Sequence, residues 1–245
     1  MSTERRTYIG TSGWHYKHWR GVFYPDDLLS KNYLNFYIKH FYTTEINNTF
    51  YQLPEEKTFI EWRESTPDDF VFSVKASRYI THMKKLKDPF EPVDNFLKCV
   101  RALKQKLGPI LFQLPPRWHI NLKRLKEFLE ILPEDHRYAF EFRDRSWLDE
   151  KTYNLLSEYG ASLCIYDFNG FLSPEVVTTD LVYIRLHGPD GPYRGSYNTE
   201  ALSKWANNIS NWSDDGKEVY CYFDNDERGY AVENALKLID MLNRG

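Results

Sequence analysis

Eight side chains able to do chemistry stand at or near the ends of apolar stretches: Glu45, Lys75, Gln113, Glu141, Arg143, Arg185, His187 and Asp224. Glu141 suits general acid or base work, Glu45 supplies a second carboxylate, and His187 is a proton carrier near neutral pH. Arg143 and Arg185 would hold an anionic substrate group, because the guanidinium fork matches a carboxylate or phosphate in two parallel hydrogen bonds. Lys75 reads as a third cation, or as an imine-forming amine where burial and nearby cations favour its neutral form. Lys75, Arg143 and Arg185 stand against Glu45, Glu141 and Asp224, so the set must be mutually paired, hydrated, or both. A self-satisfied ion-pair network that only fills the interior is the plain alternative. Buried pairs seldom add much net stability, which favours the functional reading.

The elements that must position these residues are read from periodicity. In residues 138–143, Tyr138, Phe140 and Phe142 alternate with Ala139, Glu141 and Arg143, the pattern of a strand whose two faces meet different surroundings. Alone, that fits an edge strand with one wet face. Related strands at residues 43–47, 70–76, 110–114, 181–188 and 217–224 place Glu45 with Asn47, Ser73 with Lys75, Leu111 with Gln113, Arg185 with His187, and Tyr222 with Asp224. Strands at 7–12 and 161–166 complete a set of eight. Helical patterns cover residues 29–39, 55–64, 93–107, 122–132, 148–159, 199–209 and 232–242, with Gly108-Pro109 as a stop signal. Residues 168–180 show no helical pattern, so the crossover between strands six and seven is abbreviated.

Such alternation, without linker or low-complexity tract, predicts one α/β domain over residues 1–245 with a parallel sheet. A doubly wound sheet would show continuous apolar runs in its central strands, and these strands do not. The expected fold is a TIM-type (β/α) barrel, which typically takes about 250 residues, with apolar faces against helices and polar residues inward at the strand ends.

Bulk properties narrow the classes. A net charge of -3 gives no global pull towards nucleic acid or anionic membrane. Cys99, Cys164 and Cys221 each lie inside an apolar element and read as reduced core residues of a cytoplasmic protein. Residues 1–6 are polar and suggest neither signal nor anchor, and no apolar run approaches the ~20 residues of a membrane span. The loop at 14–25 carries Trp14, Tyr16, Trp19, Phe23 and Tyr24, either a hydrophobic plug or a ligand-stacking wall. His15 and His18 read as surface histidines.

The ordered segments Ile9-Gly10-Thr11-Ser12-Gly13-Trp14, Glu45-Ile46-Asn47, Gln113-Leu114-Pro115-Pro116, Glu141-Phe142-Arg143, Arg185-Leu186-His187-Gly188 and Tyr222-Phe223-Asp224-Asn225-Asp226 span nearly the whole chain. In them the sequence resembles the YecE-like proteins, the family called domain of unknown function 72. The resemblance implies a TIM-type barrel and no established activity. Where the family usually shows two consecutive asparagines, this chain has Asp224-Asn225, which adds a carboxylate.

The sequence therefore leads to an enzyme of hydrolase, lyase or isomerase type, acting by acid-base chemistry on a phosphorylated or carboxylated small molecule without a required cofactor. Glu141, His187, Glu45 and Lys75 are the candidate catalytic residues. Arg143, Arg185, Gln113, Asn47, Trp14, Tyr222, Asp224 and Asn225 are the candidate substrate contacts. Two alternatives stand beside this reading. One is a nucleic-acid-processing or nucleic-acid-binding barrel, in which Lys84, Lys85 and Lys87 track phosphates and loop tryptophans stack on bases. The other is a non-catalytic ligand-binding barrel. A retaining glycosidase needs carboxylates ~5 Å apart, whereas strands two and five lie across a barrel from each other. His82, His187, Glu45, Glu141 and Asp224 leave room for a divalent metal, but no HExxH or comparable spacing assigns one, and no membrane partner is expected.

Overall fold

The computed structural model describes residues 6–244, so the reading of the polar start falls mostly outside the described residues. Eight strands lie along the sheet path: β1 (Thr7–Thr11), β2 (Thr43–Ile46), β3 (Val71–Lys75), β4 (Leu107–Leu114), β5 (Tyr138–Phe142), β6 (Ser162–Phe168), β8 (Leu181–Leu186) and β9 (Glu218–Phe223). Their spatial order is β1-β9-β8-β6-β5-β4-β3-β2, and the two-residue strand β7 (Phe171–Leu172) pairs only with β6. The helices are α1 (Tyr33–Tyr37), α2 (Glu56–Glu64), α3 (Phe90–Val100), α4 (Leu122–Leu129), α5 (Glu150–Glu158), α6 (Thr199–Asp214) and α7 (Tyr230–Leu242). The described pairings along the path are parallel and sequential strands, apart from β6 and β8, are joined through helices, so the fold is a TIM-type (β/α) barrel. In place of a helix, the abbreviated crossover holds β7, folded back antiparallel on β6.

By its internal contacts the chain divides into two compact units. The first comprises the residues through Glu45, Ile165–Ser173, and Asp180 onward; the second comprises Ile46–Cys164 and Pro174–Thr179.

In the first unit β1 lies close against the start of β2. A Cβ on Gly10 would fall 2.4 Å from the Thr43 carbonyl oxygen, so this approach requires glycine. The buried Tyr37 hydroxyl joins the two strands, accepting from the Thr11 amide at 3.0 Å and donating to the Thr43 carbonyl at 3.1 Å. Thr44 Oγ1 donates to the Thr11 carbonyl at 3.0 Å. The aromatic loop is packed inward around Trp19, which is fully buried among Tyr16, Phe23 and Tyr24.

The second unit shows why alternation works. Leu125, Phe128 and Leu129 form the buried face of α4, and Phe128 meets Phe112 of β4 and Phe140 of β5 edge-on at 4.9 and 6.1 Å. The apolar faces of β4 and β5 are thus turned to a helix, and alternation turns Gln113 and its register partner Glu141 to the other face. Asn121 caps α4 through the Arg124 amide at 3.0 Å, a bond type worth roughly 1 kcal/mol. Gly108 and Pro109 do not end a helix here. The preceding helix stops at Val100, a 3-10 stretch covers Arg101–Lys106, and both residues lie inside β4. The β3–β4 register shifts between Phe72 and Val74, where Pro109 has no N–H for a ladder.

Candidate functional site

In the first unit, the ends of β1, β2, β8 and β9 assemble a buried charge network. Glu45 and Arg185 are both fully buried. Arg185 Nε donates to Glu45 Oε2 at 2.9 Å, and Nη2 donates to Oε1 at 2.8 Å. Tyr183 donates to Oε2 and Ser12 to Oε1, each at 2.8 Å. The carboxylate therefore accepts from three side chains, which is how a desolvated charge is tolerated. Arg185 Nη2 also reaches Asp224 Oδ2 at 3.1 Å, and His187 Nδ1 lies 3.0 Å from the same oxygen. Arg185 Nη1 sits 3.3 Å from His187 Nε2. A guanidinium can only donate, so this contact assigns Nε2 as acceptor and leaves the imidazole proton to Nδ1.

Three carboxylates crowd one phenol. Burial, and then the charges of Asp224, Asp226 and Glu45, push the Tyr16 hydroxyl well above its ordinary range, so it donates to the Ser12 carbonyl at 2.6 Å. Burial and the neighbouring Asp224 charge raise the Asp226 carboxyl to about 6, against the pull of His18. His18 Nε2 lies 2.7 Å from the Asp226 carbonyl and 3.5 Å from its carboxylate. Asp167 is also raised by burial, while the Tyr197 hydroxyl donates to its Oδ2 at 3.0 Å.

Asp226 and His18 open onto a groove of about 650 Å³ whose other walls include Val22, Pro192, Tyr193, Arg194 and Arg228. Among the described residues, neither the Arg194 nor the Arg228 guanidinium has a hydrogen bond or ion pair. Tyr193 (φ 64°) and Arg228 (φ 56°) hold left-handed backbone conformations, a cost that persists only where surrounding structure enforces it. The Tyr193 ring meets His187 and Phe168 edge-on at 5.7 and 5.9 Å.

Other predicted contacts in this unit are hydrogen-bonded within the protein. Asn225 Nδ2 donates to the Gly195 carbonyl at 2.8 Å and to Asn234 Oδ1 at 2.9 Å, fixing the loop after β8. Tyr222 and Thr43 share a hydroxyl contact of 2.6 Å. Trp14 is buried, and its carbonyl accepts from the Tyr24 hydroxyl.

The second unit carries its own cluster. Glu141 is fully buried and ion-paired with Arg143 Nε, and Cys164 Sγ lies 3.9 Å from Glu141 Oε2. Lys75 Nζ sits 4.4 Å from the Phe50 ring centroid, a cation–π contact, and His82 meets the same ring edge-on at 4.9 Å. Burial first, then the Lys75 and Arg78 charges, lowers His82 to about 4, although Glu141 opposes the shift. Asn47 and Gln113 are half-buried, and the Asn47 side-chain oxygen has no hydrogen bond among the described residues. Lys84, in the basic loop, is paired with Asp88 at 3.8 Å. Among the described residues no three His, Cys, Asp or Glu side chains group as a metal site, and no helix is long and apolar enough to cross a membrane.

Glu45, Arg185, His187 and Asp224 thus meet in one unit, and Glu141 pairs with Arg143 in the other, which also holds Lys75. Sequence reasoning missed Asp226, Tyr193, Arg194 and Arg228, and gave His18 no role. Their signal was the glycine-punctuated run from Gly188 to Gly195, and a second aspartate two positions after Asp224.

A parallel barrel with charged side chains gathered at its strand ends defines the class. The chain belongs to the family described as "Protein of unknown function DUF72", whose pattern matches residues 8–245. It is similar to the UPF0759 protein YunF of Bacillus subtilis, 26% identical over 96% of this chain and 94% of that one. A DUF72 family protein from Thermotoga maritima has the same fold, with 33% identity, a TM-score of 0.88, and coverage of 98% of this chain and 100% of that chain. One from Enterococcus faecalis, 22% identical with a TM-score of 0.84 over 97% of this chain and 95% of its own, shares the fold.

Proposed function

We propose that the protein is an enzyme acting by acid-base chemistry on an anionic small molecule, phosphorylated or carboxylated. The observation that carries this reading is one groove bearing two guanidiniums, Arg194 and Arg228, that have no partner among the described residues, beside a carboxyl raised to about 6, Asp226. Near neutral pH Asp226 has access to both protonation states, the condition for giving and taking a proton in one cycle. His18 adjoins it at 3.5 Å. Arg143 and Arg185, by contrast, already pair with internal carboxylates, so the anion-holding role passes to Arg194 and Arg228. Asp224, itself held by Arg185 and lying beside His187, helps to raise the Asp226 carboxyl through its charge. No cofactor is needed for this chemistry, and the three cysteines, in no disulfide among the described residues, suit a cytoplasmic setting.

The test is a panel of phosphorylated and carboxylated metabolites incubated with the full chain in D2O and followed by 1H and 31P NMR. Consumption or proton exchange of at least one compound, with an acid limb near pH 6, is the expected result. Saturable binding without turnover across the panel would make the protein a non-catalytic ligand-binding barrel instead.

A further inference from the structure

We infer that the ligand of this groove is a phosphate monoester whose attached ring lies on Tyr193. The inference deepens the reading above, on whose groove it rests, by naming the substrate class. Two guanidiniums line the groove beside Glu227, neither hydrogen-bonded nor ion-paired among the described residues, and each can grip two oxygens of one anion. A monoester dianion offers three oxygens and about two charges, which two forks match better than they match a single carboxylate. The position is informative too. Arg194 follows β8 and Arg228 follows β9, the seventh and eighth strands of the barrel, and loops after those strands recur as phosphate sites in this fold class.

The loop carrying Tyr193 and Arg194 is held in place before any ligand arrives. Gly188 has φ 112°, and a Cβ there would fall 2.1 Å from the Arg194 carbonyl oxygen, so the loop closes directly over the end of β8. The Tyr193 amide donates to the His187 carbonyl at 2.7 Å, Asn225 Nδ2 holds the Gly195 carbonyl at 2.8 Å, and Asn234 Oδ1 accepts from the Tyr197 amide at 3.0 Å. A loop restrained at both ends presents its side chains with little ordering cost on binding.

The ring is assigned from the remaining space. A groove of about 650 Å³ is much larger than a phosphate needs, and Pro192, Val22 and Tyr193 form its apolar wall. Tyr193 stays 46% exposed while His187 and Phe168 back its ring edge-on. A rigid, half-open aromatic of this kind suits stacking against a flat or sugar ring.

The experiment is calorimetric titration of the full chain with phenyl phosphate, inorganic phosphate and a short oligothymidylate. Phenyl phosphate is expected to bind more tightly than inorganic phosphate. Arg194→Ala/Arg228→Ala should weaken phenyl phosphate by ~10-fold or more, the effect of losing charge-assisted bonds worth about 1.4 kcal/mol. Tyr193→Ala should weaken phenyl phosphate several-fold and leave inorganic phosphate unchanged. Among the described residues neither guanidinium makes a hydrogen bond or ion pair, so the double variant should unfold at the wild-type temperature, which checks its integrity. The inference is overturned if phenyl phosphate shows no saturable binding, if the double variant binds it as wild type does, or if the oligothymidylate binds more tightly and depends on the same arginines. Asp226→Asn separates the two readings. Retained phenyl phosphate binding with unchanged turnover would remove the acid-base role and leave the ligand class standing.

Discussion

Arg185 grips Glu45 with two parallel hydrogen bonds, Nε to Oε2 at 2.9 Å and Nη2 to Oε1 at 2.8 Å, and neither side chain is exposed to solvent. The same Nη2 continues to Asp224, so one buried cation compensates two carboxylates, one in β2 and one just after β9.

That arrangement makes Arg185 the costlier partner to remove. Arg185→Met leaves Glu45 and Asp224 without their counter-ion and should lower stability by roughly 3–5 kcal/mol, the usual cost of breaking a buried pair. Glu45→Gln/Arg185→Met should recover part of the loss, because one carboxylate goes with the cation. Urea denaturation of the wild type and both variants measures this, and equal losses in the two variants would contradict it.

Asp226 sets a pH dependence of opposite sign to that of an ordinary paired aspartate. Its folded-state carboxyl, raised to about 6 from 3.8, binds its proton more tightly than the unfolded chain does. Its contribution to stability is fully present below pH 3.8 and is lost as pH rises through 6. Asp226→Asn should therefore stabilise the protein above pH 6 relative to wild type, an advantage that narrows as the pH falls to 4. Denaturation midpoints from pH 4 to 8 provide the check. Removing Asp224 should bring the Asp226 midpoint down, and removing His18 should raise it further.

His82 behaves in the mirror sense. Its imidazole is lowered to about 4 from 6.5, so the unfolded chain takes up the proton first and stability is lost as pH falls between those values. Lys75→Met removes the second-largest cause and should move the His82 titration upward, as followed by the ring proton signals in NMR. An unchanged midpoint would place Lys75 outside the electrostatic reach of the ring.

The barrel was legible because period-two alternation with polar strand ends survives in β4, β5, β8 and β9, where each apolar face needs a helix or neighbouring core to cover it. Glu45, Arg185, His187 and Asp224 were legible for the same reason, as charges placed at the ends of apolar strands. The groove residues were not. Tyr193 and Arg228 owe their placement to left-handed backbone, and Arg194 to a loop closing over Gly188, and no hydrophobic period encodes such turns. Gly108-Pro109 misled as a stop signal because an irregular register beside β3 lets both residues enter a strand.

The Gly188 loop is open to direct test. Gly188→Ala puts a methyl group into the Arg194 carbonyl and asks alanine to hold φ 112°, a strain of about 1–3 kcal/mol before any repacking. The loop should move, weakening phenyl phosphate binding and lowering the unfolding temperature. Wild-type values for both would show that the loop is not set by this contact.

The central assignment, Asp226 as proton donor and acceptor beside an anion held by Arg194 and Arg228, is tested most directly by steady-state kinetics on whichever phosphorylated or carboxylated compound the wild-type protein turns over. Asp226→Asn should lower kcat by about 100-fold or more with KM little changed, the scale of a lost general acid-base group. Arg194→Ala/Arg228→Ala should act chiefly by raising KM. Wild-type kcat in Asp226→Asn, or wild-type kinetics in both variants, would contradict the assignment.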